Sequence, residues 1–396
     1  MSYERPLKTT LLFELSSKTP VIQVLIGPRQ VGKTTIARQI QESIRIPVVY
    51  ATADSPVPLD SAWIETQWRR AMGEGSATGG PVLLILDEVQ KVRGWSETIK
   101  LLWDGRLSGP EIRVLILGSS SLLMQEGLTE SLAGRFFLHR CTHWGYKECR
   151  EAFGWSLGQW IYFGGYPGAA VFTDKETSWK RYIVDSLIET VLARDVLQMS
   201  KITKPVLLRH LFVLAATLPS QIVSYTKMLG QLQDAGNTTT LAHYLKLLES
   251  AFLASGLELF SRGQQRKRGS SPKLVLWNNA LVNALSTRSF AEALGDLIWW
   301  GRLVENAVGA HLCNGLPSVE YTLTYWRDGG HEVDFVVARG RDVWAIEVKS
   351  GRSGKTAGLS RFRQRYPEAR ALLVGGPGIP LAEIFSQDPQ AWLKNL

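Results

Sequence analysis

The stretch from Val21 to Ile40 constrains this chain more than any other. A β-branched apolar run, Val21 to Ile26, leads into Gly27-Pro28-Arg29-Gln30-Val31-Gly32-Lys33-Thr34-Thr35 and then the helical pattern Ile36-Ala37-Arg38-Gln39-Ile40. That is a P-loop in its strand, loop and helix setting. A backbone wrapped around phosphates passes through conformations closed to residues with a Cβ, which is the expected reason for Gly27 and Gly32, and its N–H groups must turn inward. Lys33 is then placed to reach the β and γ phosphates and Thr34 to offer a hydroxyl to Mg2+, while the positive end of the helix dipole adds to the field on a triphosphate. The alternative, a glycine loop with a chance Lys-Thr after it, fits the spacing and flanks poorly. Residues 27 to 35 are the expected nucleotide cradle, ATP and Mg2+ the expected cofactors, and α/β the expected fold class.

Two further strands fit the same sheet. Pro81-Val82-Leu83-Leu84-Ile85-Leu86-Asp87-Glu88 is a continuous hydrophobic run ending in two carboxylates, as in a buried parallel strand that delivers its end to a ligand. It reads as a Walker B strand, with Asp87 holding Mg2+ and Glu88 orienting the attacking water. Two acids after an apolar strand can also cap a helix. Arg113-Val114-Leu115-Ile116-Leu117 ends in Gly118-Ser119-Ser120-Ser121, where a polar side chain can sense the γ phosphate. Ser119 is the chosen position; a serine-rich turn capping the next helix is the alternative.

Walker A, Walker B, the serine-ended strand and Glu130-Ser131-Leu132-Ala133-Gly134-Arg135 together resemble the prokaryotic AAA+ ATPases known as ATP-binding proteins with a DUF4143 domain. The resemblance spans nearly the whole chain. It implies a P-loop AAA+ core at residues 1–152, a helical lid with a winged-helix-like segment at 153–259, and an α/β restriction-endonuclease-like, PD-(D/E)XK domain at 260–396. It also implies that Arg135 is an arginine finger reaching the γ phosphate of a neighbouring subunit, with Arg194 a weaker candidate, and that the chain works as a ring, expected to be a hexamer. Pairing of either guanidinium with a local carboxylate is an equal account.

The chain's 396 residues suit two to four domains at roughly 100 to 200 residues each. With 45% apolar residues and 14 Trp, it is too rich in core-forming side chains to be disordered. No run approaches the ~18 apolar residues of a membrane span, and the N-terminus lacks a signal-peptide pattern, so no membrane partner and a cytoplasmic site are expected. Cys141, Cys149 and Cys313 offer neither a disulfide framework nor a four-cysteine zinc site. His139-Arg140-Cys141-Thr142-His143 permits chelation, yet lacks a close fourth ligand other than Cys149, and packed side chains are the preferred reading. Lys plus Arg exceeds Asp plus Glu by 45 − 36 = +9, which favours a polyanionic partner without identifying one.

From about Trp155 to Leu259 the apolar spacing is helical, with Trp179, Tyr182, Ile183, Leu187, Ile188, Val191 and Leu192 on one broad face. Gly164-Gly165-Tyr166-Pro167 reads as a structural turn. Ser224 to Leu232, the turn Gly236-Asn237, and Thr238 to Glu249 read as helix, turn and capped helix, an arrangement like a winged helix. Its second helix can enter the major groove of DNA or merely pack a lid. Arg262, Arg266, Lys267, Arg268 and Lys273 then form a basic run, either a solvated loop or a phosphate-contacting arm.

The last third suggests a second chemistry. Glu305 lies on a helix pattern, while Glu332 to Val337 and Trp344 to Lys349 alternate like strands, so that Asp334, Glu347 and Lys349 form D-x(12)-E-x-K. Residues i and i+2 of a strand share a face, which places Glu347 and Lys349 side by side. Asp334 and Glu347 are candidate Mg2+ ligands, Lys349 a candidate activator of bound water, and Glu305 completes the set. By itself E-x-K is a weak signal. With Glu305, Tyr325-Trp326-Arg327 and Ser350-Gly351 around it, the region resembles the nuclease-like domain named above. The expected function is an oligomeric DNA-processing ATPase whose C-terminal domain binds DNA and is a candidate for cutting it. A nucleotide-controlled switch on an inert nuclease-fold scaffold and a protein remodeller are the alternatives.

Overall fold

The computed structural model describes residues 3–106, 109–118, 128, 131–196, 202, 204–232, 236–261, 271–351 and 356–395, the side chains at 194 and 195 excepted. The chain divides into two compact units, Met1–Thr142 and His143–Leu396.

The first unit is built on a parallel five-stranded sheet in the order β2-β3-β4-β1-β5. The strands are β1 Ile22–Ile26, β2 Val48–Thr52, β3 Val82–Asp87, β4 Ile112–Gly118 and β5 Phe136–Arg140. Every residue of β1 and β3 is buried, because helices cover both faces of a parallel sheet and leave no solvent-facing row. The helix Ser61–Thr78 starts where the Asp60 carboxylate accepts from the Ala62 N–H and stops at the left-handed Gly79. It lays Ile64, Trp68 and Ala71 against Leu84, Leu86 and Val114 of the sheet core. Parallel pairing sends all strand ends the same way: Ile26 lies beside Gly118 and Thr52 beside Asp87. The loops after β1 and β3 therefore open on one crevice, the usual ligand side of such a sheet.

In the second unit, Trp179 lies in a helical stretch, Glu176–Tyr182 followed by the π-helical segments Ile183–Ile188 and Val191–Val196. Gly164 and Gly165 are required by packing, since a Cβ on Gly165 would stand 2.0 Å from the Trp144 carbonyl oxygen and one on Gly164 1.9 Å from Asn278 Oδ1. The helix Tyr225–Gln231 is capped by Ser224, and Thr238–Ser250 by Asn237, whose Oδ1 accepts from the Thr240 N–H at 2.8 Å. An antiparallel ladder of β6 Ala254–Leu257 and β7 Lys273–Leu276 follows. The long helix Leu297–Gly315 precedes a four-stranded sheet in the order β11-β10-β9-β8. Its strands are β8 Thr322–Asp328, β9 His331–Arg339, β10 Asp342–Val348 and β11 Arg370–Val374. Gly329 and Gly330, with φ of 54° and 85°, make the β8 to β9 turn, and the helix Ala357–Arg365 carries the chain over to β11, parallel to β10.

Residues 153–259 and 260–396 pack within one compact unit, which runs from His143. Hydrogen bonding explains this. β7 pairs with β6 across the expected boundary, and the Asn279 amide donates to the carbonyls of Ile161 at 2.7 Å and Leu303 at 2.9 Å. Lys273, read as the end of an exposed basic run, is instead a strand residue with a fully buried side chain, while Arg262, Arg266, Lys267 and Arg268 lie outside the described residues. Cys141, Cys149 and Cys313 form no disulfide, and among the described residues no helix is long and apolar enough to cross a membrane.

Candidate functional site

β1 ends at Ile26, and the loop turns through Gln30 and Gly32, both at positive φ (59° and 96°), into the helix Lys33–Ser43. Gly32 is therefore glycine for its backbone conformation. Gly27 is glycine for a different reason from the one expected: its φ is not positive, but a Cβ there would stand 1.9 Å from the Cys141 carbonyl oxygen. Val31 is buried and anchors the loop from below, where Arg5 donates to its carbonyl at 3.3 Å, to Cys141 Sγ at 3.1 Å and to the Thr142 carbonyl at 3.0 Å. Pro28 is buried, Arg29 is half-buried, and Thr34 and Thr35 face solvent at the start of the helix.

Lys33 is buried, and its ammonium donates back to the carbonyls of Gly27 at 2.9 Å and Pro28 at 2.7 Å. Burial lowers its pKa, against the pull of Cys141, Glu88 and Asp87. Across the crevice, Asp87 Oδ2 accepts from the Thr34 hydroxyl and from the Tyr50 hydroxyl, each at 2.8 Å. Asp87 Oδ1 is buried and takes no hydrogen bond. A hard divalent ion needs this donor set, an alcohol and a carboxylate with a free lone pair, so Thr34 and Asp87 fit Mg2+. Glu88 stands at φ 57°, ψ 34°, a left-handed conformation that costs a residue with a Cβ energy and tends to mark functional positions. Its Oε2 accepts from the Gln90 amide at 2.8 Å.

Arg135 grips Asp104 in a two-pronged pair, 2.8 Å from Oδ1 and 2.9 Å from Oδ2, and also donates to the Ala133 carbonyl. Its carbonyl bonds Ile22 at the start of β1, so it stands at the end of the sheet opposite the P-loop. It cannot serve its own chain's nucleotide. Ser119, Ser120 and Ser121 lie outside the described residues, as does the side chain of Arg194. The sequence reading missed Arg5 and Tyr50 and weighed Cys141 only for a disulfide or zinc, because Arg5 and Cys141 meet the loop, and Tyr50 meets Asp87, from distant segments that no motif marks.

The second cluster lies within the other unit. β9 carries Asp334 and Glu332, β10 carries Glu347, Lys349 follows it, and the helix Leu297–Gly315 carries Glu305. Glu347 and Lys349 meet as i and i+2 residues do, the ammonium donating to Oε1 at 2.7 Å, while Glu347 Oε2 is buried without a partner. Asp334 Oδ2 accepts from the Val348 N–H at 2.8 Å. A second cation among these acids is Lys273, whose Nζ lies 2.5 Å from Glu305, 3.3 Å from Asp334 and 3.4 Å from Glu332. Burial works against that ammonium, but the three carboxylates more than offset it and hold its pKa above the ordinary lysine value. Burial pushes the Glu305 and Glu347 carboxyls upward, in both cases with Asp334 adding its repulsion, while the Lys273 ammonium pulls each of them back. This differs from the expectation of a metal held by Glu305, Asp334 and Glu347: a lysine stands among them, and among the described residues no group of three or more His, Cys, Asp or Glu side chains is arranged to hold a metal ion. As arranged, these residues do not fit Mg2+. His139, considered for zinc, bonds Gln23 at 2.7 Å instead.

The AAA domain family AAA_14 matches residues 19–149, a domain of unknown function, DUF8612, residues 154–292, and another, DUF4143, residues 300–378. The uncharacterized proteins Rv2008c of Mycobacterium tuberculosis and Mb2031c of Mycobacterium bovis are each 27% identical over 270 residues, 68% of this chain. The match spans 56% of the length of those relatives. Among solved structures, a Walker-type ATPase of Pyrococcus abyssi is similar at TM-score 0.47 and 15% identity, covering 72% of this chain and 95% of that one. The Aeropyrum pernix ORC1 protein, solved in complex with DNA, is similar at TM-score 0.29 and 15% identity, covering 73% and 92%. The family models thus mark an AAA domain of the AAA_14 type within residues 19–149 and a DUF4143 domain within residues 300–378.

Proposed function

We propose that this chain is an ATPase of the AAA kind that couples ATP hydrolysis to work on DNA in the cytoplasm. The observation that carries the reading is the Thr34 to Asp87 bond of 2.8 Å beneath a P-loop, with Asp87 Oδ1 buried and unpartnered. Lys33 exchanges the neutral carbonyls of Gly27 and Pro28 for phosphate oxygens, which bear full charge and bind an ammonium more strongly. Backbone N–H groups of the loop, where Pro28 offers none, are the donors for the remaining phosphate oxygens. Thr34 and Asp87 would hold Mg2+, which would supply positive charge against the developing negative charge of the triphosphate. Glu88 orients the water, and Ser119 senses the γ phosphate. Arg135, remote from its own P-loop, is assigned to a neighbouring subunit's nucleotide, and a ring, a hexamer in this proposal, brings it there.

Support for DNA comes from the net charge of +9 and from the order of elements after Ser224. Two capped helices and an antiparallel ladder make a winged-helix-like unit in which Thr239, His243 and Lys246 face outward on the second helix. The final sheet, with its parallel β11 reached through a helix, supports a nuclease-like module that holds DNA. One observation favours the switch reading, with an inert scaffold, as a second choice: Lys273 neutralises the carboxylates that cleavage would need.

The test is ATP hydrolysis on duplex, forked, four-way and single-stranded DNA across a salt series. Stimulation by DNA that falls steeply with salt is expected. Lys33→Ala should abolish nucleotide binding, and Glu88→Gln should bind ATP but stall. Hydrolysis indifferent to every DNA would retire the motor in favour of the switch, and absence of ATP binding would retire both.

A further inference from the structure

We propose that the Lys273 ammonium is the permanent cation of the carboxylate cluster, standing in for a divalent metal, so that the second unit neither binds nor needs a metal there and does not cut phosphodiesters. This inference is independent of the ATPase reading.

Its first support is placement. Lys273 lies on β7, where its backbone is held by pairing with Leu257 and by a bridge to Ile222, so the side chain enters the cluster from a fixed point. The side chain is wholly buried, its Nζ contacts Glu305, Asp334 and Glu332 within 3.4 Å, and the Phe335 ring lies 5.1 Å away. An ammonium with three carboxylates at such distances is fully partnered, since it has three N–H donors. The second support is what this leaves for a metal. Mg2+ takes six oxygen ligands at about 2.0 to 2.1 Å and keeps several waters, whereas Glu305 and Asp334 are engaged by an ammonium whose like charge opposes a dication. The third is Lys349, the residue a metal-assisted hydrolysis would need beside water: it is bonded to Glu347. What the lysine does instead is mechanical, tying the β6 to β7 ladder to β9 and to the helix Leu297–Gly315.

Removing the ammonium should expose the latent site. The probe is Mn2+ titrated into the nucleotide-free, full-length protein and followed by electron paramagnetic resonance of the free ion. Wild type and Asp334→Asn are expected to bind Mn2+ identically, because any Mn2+ held near Asp87 is common to both. Lys273→Ala is expected to gain one Mn2+ site that disappears in Lys273→Ala/Asp334→Asn, and its lowered Tm should rise with Mn2+ by more than that of either the wild type or the double variant. A Mn2+ site in the wild type that is lost in Asp334→Asn overturns the proposal, as does Mn2+-dependent DNA cleavage lost in the same variant. A folded Lys273→Ala protein that gains no site also overturns it. Should Lys273→Ala fail to fold, Lys273→Met keeps much of the stem's volume without the charge, and the wild-type comparison with Asp334→Asn decides.

Discussion

At the scale of single residues, the same side chain takes opposite meanings in different surroundings. Lys33 is a buried lysine held by two neutral carbonyls, and burial drives its pKa down; Lys273 is a buried lysine among three carboxylates, and its pKa goes up. Two of the molecule's buried cations are thus tuned in opposite directions by what their nitrogen touches. His311 shows the same rule for a neutral group. It is edge-on to Phe385 at 5.4 Å, its Nε2 is buried without a partner, and burial lowers its pKa from 6.5 to about 4. A histidine kept neutral by the fold contributes stability that is present above its unfolded pKa and lost as pH falls through the folded one. Stability of the second unit should therefore decline between pH 6.5 and about 4, by roughly 3 kcal/mol from this residue. Urea unfolding as a function of pH should show His311→Gln with a flatter acid limb than the wild type; an unchanged limb would exclude the residue as the cause.

At the scale of elements, the strands of the first unit are legible because an unbroken run such as Val82 to Leu86 can only be buried on both faces, and a parallel sheet is what buries it. The helices facing it are less legible. Ser61–Thr78 contains glycines and alternates small and polar residues, yet it exists because Asp60 caps it and Trp68, 2% exposed, fills the space over β3 and β4. Trp68→Ala should cost about 3 to 5 kcal/mol in chemical denaturation, since the sheet below cannot collapse into the void. A loss under about 1 kcal/mol would mean that the helix is held by something other than that ring. In the second unit the strand β7 is the element the sequence conceals. It is four residues long, follows a basic run, and becomes recognisable only through its pairing with β6.

At the scale of the whole molecule, the P-loop and the carboxylate cluster sit in two separately packed units, and the proposed ring bears on the first of them. Arg135 precedes β5 at the far end of the sheet, with Asp104 as its partner in the single chain. If the residue serves a neighbour, Arg135→Ala should bind ATP normally while hydrolysis falls by about 10³-fold or more, the size of an arginine-finger effect. Mixing it with Lys33→Ala, itself inactive, should restore part of the activity, because some interfaces then pair an intact P-loop with an intact arginine. Mixtures that stay inactive would reduce Arg135 to the structural partner of Asp104.

The amino-acid sequence by itself determined the α/β class, the strand, glycine loop and helix order, and the sharing of one strand face by Glu347 and Lys349, because each rests on spacing over a few residues. Only the tertiary structure decided which cation Glu305, Glu332 and Asp334 meet. Lys273 is 32 residues from Glu305 and 61 from Asp334 along the chain (305 − 273 and 334 − 273), and an isolated lysine after a basic run looks like solvated surface. The same holds for Gly27, whose need for glycine comes from Cys141 more than a hundred residues later. Burial and contact at long separation create these constraints, and local pattern carries no record of them.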